Sequence, residues 1–147
     1  MSAKEIRKKA MDLLARREHS RVELQRKLAR CFDDGDSEIS VQLQRLAEEG
    51  LQSDSRFAES YLRMRANAGF GPLRIGLELR ERGIDEQGVQ HALAVADIDW
   101  WQRLESVCEK KFGGGPPADL RELAKRQRFL HYRGFDAEQI RELCRLG

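Results

Sequence analysis

Apolar residues recur along this chain about every three to four positions, in short runs bounded by recognisable helix signals, and not in the strict alternation of a half-buried strand. Ser2-Ala3-Lys4-Glu5 has the form of a capping box and leads into Ile6, Ala10, Leu13 and Leu14, which predicts a first helix to about Arg17. Ser20-Arg21-Val22-Glu23 repeats that form and opens a second helix with Leu24, Leu28 and Cys31 as its apolar stripe, stopped by Asp33-Asp34-Gly35-Asp36. A third helix carries Ile39, Val41, Leu43 and Leu46 and closes at Gly50. Ser53 or Asp54 caps a fourth with Phe57, Tyr61 and Met64, and Pro72 sits in the first turn of a fifth that ends at Gly83. Asp85 caps a sixth with Val89, Ala92 and Leu93, and Asp99 a seventh with Trp100, Leu104, Val107 and Cys108, up to Phe112. After the break at Gly113-Gly114-Gly115-Pro116-Pro117, an eighth helix spans about Asp119 to Tyr132, and a ninth follows Asp136 with Ile140 and Leu143. The pattern predicts nine helices and no strand.

The same pattern repeats. A shift of 51 residues lays Ile6 on Phe57, Ala10 on Tyr61, Leu13 on Met64, Leu24 on Ile75 and Leu28 on Leu79. Applied again, it lays Gly83-Ile84-Asp85 on Gly134-Phe135-Asp136, Leu79 on Leu130 and Val89 on Ile140. The predicted fold class is therefore all-α, built from three tandem three-helix repeats (helix-turn-helix-like units) at 1–50, 51–97 and 98–147. A three-helix unit cannot hide its own apolar face, so neighbours should stack into an elongated, curved array, an arrangement that commonly serves as a binding surface.

Composition agrees with that class: charged residues make up 35% of the 147-residue chain and aromatics 7%, a balance that suits solvated amphipathic helices. The net charge of +2 does not by itself point to nucleic acid, but its distribution is uneven. Residues 1–30 hold ten basic and four acidic side chains, residues 31–60 two and eight, and residues 121–147 seven and four, so both ends are basic around an acidic segment. Cys31, Cys108 and Cys144 are odd in number and widely spaced, as expected of a reduced, cytoplasmic protein. The start of the chain lacks an apolar signal region, and no run approaches the ~18 apolar residues of a membrane span, so no membrane association is expected.

Catalytic signatures do not emerge. His19, His91 and His131 fall in three different repeats without metal-ligand spacing, and neither a Gly-x-Ser-x-Gly nor a phosphate-binding Gly-x-x-x-x-Gly-Lys occurs. The carboxylates read as partners of Lys and Arg on solvated helices. No catalytic residue, metal or cofactor is expected, and the chain reads as a non-enzyme. Basic residues carry more information: Arg121, Lys125, Arg128 and Tyr132 form one stripe on the eighth helix, opposite Leu120, Leu123 and Leu130. That stripe reads either as a contact for a polyanion or acidic surface or as the wet face of an amphipathic helix, and Arg26, Lys27 and Arg30 carry the same two readings. Trp100 and Trp101 are adjacent, so one should pack while its neighbour stays partly exposed. A DNA-reading helix-turn-helix in which the fifth or eighth helix enters the major groove is disfavoured by the triple repetition without a dimerisation seam.

The stretch Leu51-Gln52-Ser53-Asp54-Ser55-Arg56-Phe57-Ala58, then Arg65-Ala66-Asn67-Ala68-Gly69-Phe70-Gly71-Pro72-Leu73-Arg74-Ile75 and Glu78-Leu79-Arg80-Glu81-Arg82-Gly83-Ile84, closely resembles the signature of the RecX family. Leu13-Leu14 with Arg17, Ser20, Glu23-Leu24 and Lys27-Leu28 resembles that family's first repeat, and Phe129-Leu130 with Arg133-Gly134-Phe135 and Ile140 its third. Ser53 stands where the family commonly has asparagine.

The resemblance implies a monomeric recombination regulatory protein. Such a protein lies in the groove of the RecA filament on DNA, restrains its growth or promotes its disassembly, and lowers its recombinase, ATPase and coprotease activities. Direct contact with single- or double-stranded DNA is compatible with it. Candidate partner-binding residues are Arg65, Arg74, Arg80 and Arg82 in the middle repeat, with Arg26, Lys27, Arg121, Lys125 and Arg128 as flanking electrostatic contacts. Two other readings stand beside it: a DNA-binding helical module acting independently of RecA, and a structural helical-repeat adaptor.

Overall fold

The computed structural model describes residues 3–33 and 36–145; the expected cap at Ser2 and the turn residues Asp34 and Gly35 lie outside them. Among the described residues there are nine α-helices and no strand: α1 (Ala3–Arg16), α2 (Arg21–Cys31), α3 (Asp36–Glu48), α4 (Asp54–Asn67), α5 (Pro72–Glu81), α6 (Glu86–Ala96), α7 (Trp100–Phe112), α8 (Leu120–Arg133) and α9 (Ala137–Leu143). Short polar side chains start them by taking amide donors that no helical carbonyl can reach. Ser20 and Glu23 close a full capping box on α2, Ser53 Oγ accepts from Arg56 N on α4 and Asp85 from Gly88 N on α6. Asp99, Asp119 and Asp136 do the same for α7, α8 and α9.

The chain divides into two compact units, 1–61 with 79–92 and 62–78 with 93–147, so that the division runs through α4, α5 and α6. In the first unit, Ile6, Ala10 and Leu13 of α1 meet Leu24 and Leu28 of α2 and Ile39, Leu43 and Leu46 of α3, with Leu14 and Phe32 packed alongside. Phe57, Ala58, Leu79, Ile84, Val89 and Ala92 are also buried in this unit. Of the expected core positions, Cys31 and Val41 turn outward here, and so does Met64 of the second unit. On α3 it is Gln42 that is buried, its amide donating to Glu38 across one turn at 3.0 Å, so the packed face lies one residue round from the one Val41 suggested.

In the second unit, Leu104 and Cys108 of α7, Leu130 of α8, Phe135, Ile140 and Cys144 form the core, ringed by half-buried Trp100, Trp101, Val107, Phe112, Leu123, Phe129 and Leu143. Both tryptophans are half-buried against this cluster, where one packed and one more exposed ring was expected. Burial pushes the thiols of Cys108 and Cys144 above their usual range, which fits packing groups better than nucleophiles. Leu120, expected in the apolar stripe of α8, is 72% exposed in the first turn of the helix. The position buried there instead is Arg126, in the same repeat register as the buried Leu24 and Ile75. Its guanidinium donates to Glu122 at 2.7 Å and to the carbonyl of Gly115 at 2.9 Å, and lies 5.4 Å from the centre of the Phe112 ring. A buried charge is tolerable when its donors are used in this way.

Candidate functional site

The nine basic residues singled out from the sequence divide by what they touch. Arg65, near the end of α4, places Nε and Nη2 on the two carboxylate oxygens of Glu78, both at 2.9 Å, in a bidentate pair. Arg74, on the first turn of α5, reaches the same carboxylate with Nε at 3.1 Å and donates Nη1 to the carbonyl of Tyr132 at 3.1 Å. Between these arginines lies Phe70, whose ring faces the guanidinium of Arg65 at 3.8 Å, that of Arg133 at 4.6 Å and that of Arg74 at 4.8 Å. Arg74 also lies 4.6 Å over the Tyr132 ring, and hydrogen bonding from it, helped by its charge, holds that phenol below the usual tyrosine range.

Backbone geometry fixes this cluster. Gly71 N donates to the carbonyl of Arg133 at 2.7 Å and Leu73 N to that of Gly134 at 3.0 Å, which ties the turn before α5 to the end of α8. A Cβ on Gly71 would stand 2.5 Å from the Gly134 carbonyl oxygen. Gly134 closes α8 in the left-handed conformation, and a Cβ there would meet the Cβ of Arg74 at 2.3 Å. The Gly-Phe-Gly-Pro segment and its arginines are thus a packed corner whose cations are already occupied.

Four more candidates belong to the first unit. Arg80 pairs with Glu86 at the surface. Arg82 sits 3.9 Å from a carboxylate oxygen of Glu23 and 4.8 Å over the ring of Tyr61. Arg26 donates to the carbonyl of Glu81 at 3.1 Å, satisfying the end of α5. Lys27 is half-buried with Nζ 2.9 Å from Nε2 of the buried His19, whose Nδ1 lies 3.1 Å from the carbonyl of Arg17. This arrangement requires neutral His19 with its proton on Nδ1, accepting from Lys27 at Nε2. Desolvation is the largest influence on His19 and lowers its pKa, and the charges of Arg17 and Lys27 add to that.

The folded state therefore binds the His19 proton less tightly than the unfolded chain. Stability present above pH 6.5 should be lost as the pH falls from there through the lowered folded value. Urea midpoints followed across that range should decline for the native chain. They should be flatter for His19→Gln, whose amide can keep both hydrogen bonds without titrating. Equal slopes would show that His19 does not carry the effect.

The remaining three, Arg121, Lys125 and Arg128, stand exposed on one face of α8 and line a shallow depression of about 590 Å³ with Phe112, Asp119 and Glu122. Among the described residues none of the three forms a salt bridge or a side-chain hydrogen bond. Tyr132, 67% exposed, continues their line. These cations are available to an outside anion, unlike Arg65 and Arg74. Sequence reasoning overlooked Glu78 as the shared partner, Phe70 and Arg133 as the stacked layer, and buried Arg126. For Arg126 a signal existed, since the repeat register aligns it with two aliphatic core positions.

Three-helix units in tandem, with an exposed cationic face on α8, define an all-helical repeat protein, and no helix among the described residues is long and apolar enough to cross a membrane. Family models for the second and third three-helix domains of RecX match residues 53–93 and 97–144. Regulatory protein RecX of Pseudomonas entomophila is 51% identical over 94% of this chain and 88% of its own length, and that of Pseudomonas putida strain GB-1 is 49% identical over the same shares. The crystal structure of RecX from Lactobacillus salivarius superposes with a TM-score of 0.79 at 26% identity, over 96% of this chain and 93% of that one. The chain belongs to the RecX family of regulatory proteins.

Proposed function

We propose that this chain is a non-enzymatic cytoplasmic regulator of the RecA recombinase. In this reading it binds as a monomer along the RecA–DNA filament, restrains growth or promotes disassembly, and lowers ATPase, recombinase and coprotease activities. Family membership supports the reading, and the observation that carries it locally is the unpaired row Arg121, Lys125 and Arg128 on α8. Three repeats at 1–50, 51–97 and 98–147 would present several weak patches to successive protomers, and such patches multiply through effective concentration. Arg65 and Arg74 then act by holding the corner of the middle repeat in shape, with Arg26, Lys27, Arg80 and Arg82 as secondary contacts.

The test is the single-stranded-DNA-dependent ATPase of the cognate RecA, titrated with this protein at fixed salt. Inhibition well below one molecule per RecA is expected. Exposed charges contribute up to about 1 kcal/mol each, so Arg121→Ala/Lys125→Ala/Arg128→Ala should raise the half-inhibitory concentration by roughly tenfold or more. Absence of inhibition by the native chain would remove the assignment to RecA. Full inhibition by the triple variant would move the contact off α8.

A further inference from the structure

The second unit holds another basic feature, distinct from the α8 row and sharing Arg133 with the Glu78 corner. A cleft of about 640 Å³ opens between the end of α4, one face of α7 and the later turns of α8. Four of its lining side chains are cations, Arg103, Lys110, Lys111 and Arg133, and no carboxylate lines it. Arg103 donates to the neutral Oδ1 of Asn67 at 2.9 Å, and Arg133 donates to the carbonyls of Ala68 at 3.1 Å and Gly69 at 3.3 Å. The Lys111 ammonium lies 5.3 Å over the ring of Phe129.

Among the described residues none of these four cations forms a salt bridge, whereas Arg65, Arg74, Arg80 and Arg126 all have carboxylate partners. Like charges gathered in a concavity without counter-charge raise the local potential and draw in an anion. Arg103 and Lys110 are two turns apart on α7, which puts them on one face with a rise of roughly 10 Å between them. The charge is therefore spread along a line, which suits a repeating anion better than a single ion. Hydroxyl and amide groups, Ser106 and Gln102, share the lining. Arg and Lys mixed with Ser, Asn and Gln is the donor set that meets phosphate and sugar oxygens in nucleic-acid complexes.

We infer that this cleft holds the phosphodiester backbone of a nucleic-acid strand. The site is a property of the isolated chain and does not depend on the filament reading. Nucleic acid held here would be gripped without regard to base sequence, since all the donors named point at backbone chemistry.

The experiment is fluorescence anisotropy of the full chain with labelled single-stranded oligothymidylate, a mixed-sequence duplex and a labelled polyglutamate peptide, each at low and raised salt. Lys110 and Lys111 are exposed and make no side-chain hydrogen bond in the described residues, so Lys110→Glu/Lys111→Glu should leave the fold intact, as circular dichroism would verify. Expected are a loss of about tenfold or more in affinity for nucleic acid, a shallower salt dependence, and recovery in Lys110→Arg/Lys111→Arg. Arg121→Glu/Lys125→Glu should lose less, and the two DNA probes report which form is preferred.

Nucleic-acid affinity unchanged by the Lys110/Lys111 reversal would overturn the assignment, as would tighter binding of polyglutamate or no binding of either DNA. A chain that inhibits RecA but ignores naked DNA would overturn this inference and leave the filament reading standing. DNA binding lost in the reversal variant, from a chain that does not affect RecA, would do the opposite.

Discussion

Replacing Gly71 with alanine is expected to destabilise the second unit by about 3 kcal/mol, the upper range for forcing atoms into a filled space. The obstacle is backbone: the new Cβ would lie 2.5 Å from the Gly134 carbonyl oxygen and 2.8 Å from the amide of Phe135. Neither atom can rotate away. Separation would stretch the hydrogen bonds from Gly71 N to Arg133 and from Leu73 N to Gly134, and these are what join the α5 turn to the end of α8. Gly114 is the matched control, because a Cβ there meets nothing within 4 Å and its backbone has no left-handed requirement. Gly114→Ala should shift the urea midpoint little, in either direction. Similar midpoints for the two variants would mean that the corner is looser than these distances require.

The second large effect is expected at Glu78. Its carboxylate serves two guanidiniums at once, and its side chain is only 14% exposed. Glu78→Ala would leave Arg65 and Arg74 facing one another without a counter-charge. Removing one member of a fully buried pair costs about 3 to 5 kcal/mol, but Arg65 and Arg74 are partly solvated, so about 2 kcal/mol is expected here. Glu78→Gln, which keeps the shape and one acceptor, should cost less. In an Arg65→Ala background the penalty for Glu78→Ala should shrink by more than about 0.5 kcal/mol, because one of the two abandoned cations is already gone. Additive losses in that double-mutant cycle would show that the three groups do not act as a unit.

Both sites bear on what could be read from the chain alone. Helix starts were legible because capping is local: Ser20, Asp85, Asp99, Asp119 and Asp136 each take an amide proton within three residues, as the sequence signals at those positions predict. The repeat was legible because Ile6 and Phe57, Leu24 and Ile75, Leu28 and Leu79, and Val89 and Ile140 are buried in pairs. Faces were harder. Val41 and Met64 are apolar and near the right spacing, yet the packed stripe runs through Gln42 and Leu43 on α3 and through Leu62 and Ala66 on α4. Which flank of an amphipathic stripe is covered depends on neighbours that periodicity does not contain.

The candidate site shows the same limit more sharply. Positive charge was easy to find, but whether a cation is available depends on partners far along the chain. Arg65 and Glu78 are 13 residues apart on different helices, and Arg74 and Tyr132 are 58 apart. The outward row on α8 was visible because its i, i+4, i+7 spacing is a property of one helix. The uncompensated cleft was not, because it assembles α4, α7 and α8.

Arg126 has a consequence for anyone who would redesign this protein. Averaging repeats into a consensus is a standard way to build stable helical arrays, and the register of Leu24 and Ile75 would write an aliphatic residue at position 126. That substitution would add apolar burial and in the same stroke release the Gly115 carbonyl, the attachment by which α8 holds the glycine-rich crossing from α7. The third repeat has exchanged interchangeability for a fastening of its own, so a consensus drawn from this chain should use its first two repeats and leave the third as a dedicated end piece.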